Sequence, residues 1–116
     1  MQYLLLIYEQ EDHLQALSGP EKQKIYQQYG ELIGELKNAG KFLGAHELQL
    51  TSSATTVRMR NGKKAVTDGP FAETKEQLGG YFLVEARDLD EAMAMAARIP
   101  TATTGSIEVR PIKINS

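Results

Sequence analysis

Two histidines, His13 and His46, are the side chains best suited to proton transfer near neutral pH, because imidazole titrates there. His13 falls in a polar stretch, EQEDHLQALSGPE, that reads as a solvated loop. His46 follows Gly44 in KFLGAHELQL, an irregular strand, and is a candidate general base. Lys75, on a charged loop with Glu73 and Glu76, could hold an anionic ligand. Tyr81 and Arg110 sit on strands and could orient a ligand, although Arg110 also has Glu85 and Glu108 to pair with. Other chemistry is excluded or unsupported. Without cysteine there is no disulfide, thiolate nucleophile or cysteine-based zinc site. The histidines make no HxH or HxxxH pattern, so no metal is expected. No serine nucleophile elbow is present. Gly79-Gly80 leads into a strand rather than a helix, so it is no phosphate loop, and no cofactor is expected.

The elements that must carry these residues are legible. Tyr3–Tyr8 is apolar on both faces and reads as a central strand. Ser18 and Glu21 form a capping box with Pro20 in the first turn, opening a helix over 19–39. Its stripe is Ile25, Tyr29, Leu32, Leu36 and Ala39, and Gly40 stops it. Gly30 and Gly34 inside this helix suggest close packing. Ala54–Arg60 and Lys63–Asp68 flank Asn61-Gly62, a strong hairpin signal. Asp68-Gly69-Pro70 is turn chemistry, with Phe71 expected to tuck into the core. Gly80–Ala86 is a strand, and Asp88 caps a helix over 88–98 whose buried stripe is Leu89, Ala92, Met93 and Ala96. Ser106–Ile112 is the last strand, with Pro111 near its end.

The order β-α-β, hairpin, β-α-β predicts one domain over 1–116. It is an α+β, ferredoxin-like sandwich with an added hairpin, both helices on one face of an antiparallel sheet. The other face is then mixed: Tyr81, Leu83 and half of the first strand beside Glu85, Glu108 and Arg110. So much apolar surface predicts self-association as a homodimer through that face, enclosing a partly polar cleft for a small molecule. A net charge of −2 argues against non-specific nucleic-acid binding. The apolar run near the N-terminus is too short to cross a membrane and lacks signal-peptide features, so a cytoplasmic protein is expected.

MQYLLLIYE, LGAHELQ…ATTVRMRNGK, TDGPFAETKEQLGGYFLVEARDLDEAMAMAARIP and GSIEVRP together resemble the DGPF-motif branch of the YCII-related (YciI-like) family over nearly the whole chain. The resemblance implies a dimeric α+β barrel, in which ferredoxin-like subunits join through their sheets. It also implies a neighbourhood of genes for extracytoplasmic-function sigma factors, and hence an alternative role as a non-catalytic regulatory protein. It places Asp68 within the motif and so makes His46 and Asp68 the candidate catalytic pair. The wider family's His–Asp pair is not matched here. The first helix, PEKQKIYQQYGELIGELKNAG, has no histidine, and the Asp-Pro element reads Ile99-Pro100. No particular reaction follows from these residues.

Overall fold

The computed structural model describes residues 1–114. Six strands and three helices follow one another as β1 (Gln2–Glu9), α1 (Glu11–Ala16), α2 (Gly19–Asn38), β2 (Phe42–Glu47), β3 (Thr55–Arg60), β4 (Lys63–Asp68), β5 (Gln77–Glu85), α3 (Leu89–Arg98) and β6 (Ser106–Pro111). Four strands make one antiparallel sheet in the order β2-β5-β1-β6; β3 and β4 pair only with each other. This is the ferredoxin-like α+β arrangement with an inserted hairpin.

Period-2 alternation decides which side of β1 meets the helices. Tyr3, Leu5 and Ile7 are buried, while Leu4, Leu6 and Tyr8 are half-buried. The buried set joins Phe82, Val84 and Ala86 from β5 in one core with Leu32 and Leu36 of α2 and Ala92, Met95 and Ala96 of α3. Both helices therefore cover the same sheet face. Among the described residues no layer covers the opposite face, and they span only 19 Å through the thinnest dimension.

The helix ends obey their local sequence. The Ser18 hydroxyl accepts the Glu21 N–H at 3.2 Å, and the Glu21 carboxylate accepts the Ser18 N–H at 3.3 Å. The Asp88 carboxylate accepts the Glu91 N–H at 2.9 Å. Asn61 and Gly62, both with positive φ, turn the hairpin. An ion pair between Arg98 and Glu35 ties α3 to α2.

Several expectations need correcting. The polar stretch after β1 contains α1, held where the Glu11 N–H donates to Gln77 Oε1 at 2.9 Å. On α3 the buried stripe is Ala92, Met95 and Ala96, continuing into Ile99, whereas Leu89 and Met93 are half in water. The stripe keeps Ala92 and Ala96 from the expected one and is turned toward Met95 and Ile99 by the way α3 lies on the sheet. Ala39 is exposed at the helix cap. Gly30 and Gly34 have open space where a side chain would go, so close packing does not explain them. Phe71 is 78% exposed rather than tucked into the core, because the loop after β4 leaves the sheet before the ring can reach it.

Candidate functional site

Two places gather polar groups, one on each side of the sheet. On the helix-free face, the cross-strand register brings His46 opposite Tyr81, Tyr81 opposite Leu6, and Leu6 opposite Glu108. The next row runs Gly44, Leu83, Leu4, Arg110. His46 Nδ1 lies 2.8 Å from the Tyr81 hydroxyl, with ring centroids 5.6 Å apart. Arg110 Nε donates to Glu108 Oε2 at 2.7 Å, the pairing that the sequence offered as its plainer role. Leu4, Leu6 and Leu83 run between these polar ends. Three of the five candidate residues, His46, Tyr81 and Arg110, thus share one face.

Asp68 and Lys75 stand elsewhere. Asp68 ends β4, opposite Thr55, in a sheet that does not pair with β2, and it is exposed. The His46 ring is engaged with Tyr81, and no hydrogen bond joins it to Asp68 among the described residues. Lys75 is exposed on the loop that follows, in a shallow polar depression with Gln10, Asp12 and Thr51.

The second place lies between the sheet and the helices, and the sequence reading did not find it. A cavity of about 400 Å³ opens between α1, α2 from Lys22 to Ile33, and the ends of β2 and β5. Its walls are mainly apolar, with Leu14, Leu17, Ile25, Ile33, Ala45 and Phe82 among them. A few polar groups punctuate it. The Tyr26 hydroxyl donates to the Glu47 carboxylate, 2.9 Å from either oxygen. The Tyr29 and Thr101 hydroxyls lie 2.6 Å apart. The Glu11 carboxylate accepts the Thr51 N–H at 3.0 Å and the Thr51 hydroxyl. Hydrogen bonding to Glu47, with burial adding to it, pushes the Tyr26 phenol above its ordinary value; burial pushes the Tyr29 phenol up as well. Both stay neutral hydroxyls at physiological pH.

Local sequence explains the geometry. Tyr26 and Tyr29, three apart, fall on one side of α2 and lean toward the sheet. Gly79 and Gly80 let β5 kink past β1, where the register slips between Ile7 and Tyr8. The spacing of Tyr26 and Tyr29 was the available signal, but it reads equally as an apolar stripe. Glu11, Glu47 and Thr101 are brought to the cavity from three separate segments and carry no local signature.

The fold and the cavity define a class: a ferredoxin-like α+β domain with an apolar chamber under its helices and an open sheet face. The family model for the YCII-related domain matches residues 1–114, and the chain belongs to that family. It is also similar to an uncharacterised protein of Rhizobium meliloti (strain 1021), 38% identical over 116 residues, which span 98% of this chain and 94% of that protein. No helix among the described residues is long and apolar enough to cross a membrane.

Proposed function

We propose that the cavity beneath α1 and α2 binds a small molecule with a mainly apolar body and a hydrogen-bonding end. The observation that carries this reading is a chamber of about 400 Å³, within the range of small-molecule sites and with few, convergent polar groups. The cavity adjoins the end of the motif loop at Gln77, Leu78 and Gly79 rather than Asp68 or Lys75. The ligand's polar end meets Tyr26–Glu47 and Glu11, and its body lies against Ile25, Ile33 and Phe82. Any proton transfer there falls to Glu47 through the Tyr26 hydroxyl, since these two groups already share a hydrogen bond. Native mass spectrometry of the purified protein reports retained ligand. Binding of the apolar dye 1-anilinonaphthalene-8-sulfonate provides a defined probe, and Ile25→Trp fills the chamber. Dye binding by the wild type that falls at least tenfold in Ile25→Trp supports the reading. Dye binding that is absent, or unchanged in the variant, overturns it.

Self-association through the helix-free face is part of the same proposal. Leu4, Leu6 and Leu83 on that face are half-buried, with no layer above them among the described residues. Packing two such faces together removes them from water. His46, Tyr81, Glu108 and Arg110 then lie at the interface, where their paired hydrogen bonds reduce the cost of burial. A second reading, a regulatory protein acting on other proteins and linked to an extracytoplasmic-function sigma factor, is favoured only by the exposed β3–β4 hairpin.

A further inference from the structure

The hairpin of β3 and β4 stands apart from the rest of the molecule. It belongs to neither the four-stranded sheet nor the core. Its described hydrogen bonds beyond its own ladder are few: the Gly69 N–H donates to Ala54 O at 2.7 Å, the Thr56 hydroxyl donates to Gly69 O at 2.8 Å, and Arg58 Nη2 donates to Phe71 O at 3.4 Å. A two-stranded ribbon in water is marginally stable by itself, so a ribbon of this length calls for a surface to rest on.

The register sorts its side chains onto two faces. Val57 lies opposite Val66 and Met59 opposite Lys64, while Arg58 lies opposite Ala65 and Arg60 opposite Lys63. One face is therefore mainly apolar along its middle, with Val57, Met59 and Val66 each more than half exposed, beside Lys64 toward the turn and Thr55 and Asp68 at the base. The other carries Arg58, Arg60 and Lys63. Residues 55–68 hold four cations and Asp68, a net charge of +3. The remainder holds nine cations and fourteen anions, a net charge of −5. One chain thus carries a cationic arm with a bare apolar face and an anionic body with a bare, partly apolar sheet face.

We propose that the hairpin is a docking arm for a second copy of this chain: its apolar face, led by Val57, Met59 and Val66, lies on the body of the partner, and the exchange is reciprocal. The arm's net charge of +3 against −5 on the body draws two copies together, and Lys64 lies on the docking face itself while Arg58, Arg60 and Lys63 lie on the outer one. A two-fold arrangement satisfies both arms at once and leaves none free. The inference rests on the self-association proposed above and adds the arm to it. A nucleic-acid partner fits the arm less well, because phosphates do not cover Val57, Met59 and Val66 and the body repels them.

Sedimentation velocity of the wild type and of Val57→Lys/Val66→Lys provides the test. Both positions are exposed within the single chain, so the variant keeps the monomer fold, checked by circular dichroism. The expected result is a wild-type dimer and a dissociation constant raised about a hundredfold in the variant, from two aliphatic side chains no longer buried. Added salt should weaken the wild-type dimer further. A photo-crosslinking residue at position 57 should join two copies of the chain. A wild type that stays monomeric at micromolar concentration overturns both the dimer and the arm. A wild-type dimer whose affinity the double variant leaves unchanged, or a crosslink only within one chain, overturns the arm alone. Preferential binding of duplex DNA by the arm also overturns it.

Discussion

Gly80→Ala tests the link between the glycine pair and the geometry around His46. A methyl group at Gly80 would lie 2.7 Å from the carbonyl oxygen of His46 and 3.4 Å from Glu47 Cα. Both are backbone atoms of β2, so no rotamer change relieves the contact. The edge strand must move by about 0.7 Å to restore the 3.4 Å of ordinary van der Waals contact. Overpacking of this kind costs roughly 1–3 kcal/mol. Loss of unfolded-chain entropy on replacing glycine returns about 0.4–1 kcal/mol. The net expectation is a destabilisation of about 1–2 kcal/mol. Unfolding entropy of about 2.1 cal/mol/K per residue, taken over the chain, converts this to a fall in Tm of about 4–8 °C. Gly79 supplies the control: its methyl group would meet Ile7 O at 3.9 Å. Gly79→Ala should therefore be neutral or slightly stabilising. Urea denaturation followed by far-UV circular dichroism measures both. Because β2 carries His46 against Tyr81, the imidazole NMR signals of His46 should shift in Gly80→Ala and not in Gly79→Ala. A Gly80→Ala protein as stable as the wild type, with His46 unmoved, would refute the reasoning.

Leu5→Ala removes a side chain with no exposure at the centre of β1; chemical denaturation should show a loss of about 3–5 kcal/mol. Tyr29→Phe leaves the buried Thr101 hydroxyl without its 2.6 Å partner, and the same measurement should show a loss of about 1 kcal/mol. Glu91 is held below the ordinary carboxyl range, first by Lys41 Nζ at 2.9 Å and then by the Arg87 N–H at 2.8 Å. A depressed folded-state value means that its stabilisation is fully present above the unfolded value near 4.5 and is lost as pH falls through the folded value. Glu91→Gln should therefore be less stable than the wild type at pH 7, and the gap should close as denaturation is followed down below pH 4.5.

The sequence by itself determined the elements whose signals are local. The capping box at Ser18, the Asp88 cap, the Asn61-Gly62 turn and the two-sided apolar β1 each depend on neighbours within a few residues. The order of those elements then left few ways to pair four strands under two helices. Alternation along β5 and β6 also placed Tyr81, Glu108 and Arg110 together on the helix-free face, because side chains two apart in a strand must share a side. What only the tertiary structure decided depends on long-range packing. The turn of α3 that puts Met95 inside and Met93 in water follows from how the helix lies on the sheet. The exposure of Phe71 follows from the hairpin standing away from the core. The chamber walled by Tyr26, Glu47, Glu11 and Thr101 exists because α1, α2, β2 and the segment after α3 converge. Residues separated by up to 90 positions in the chain carry no shared period or spacing by which a sequence could announce their meeting.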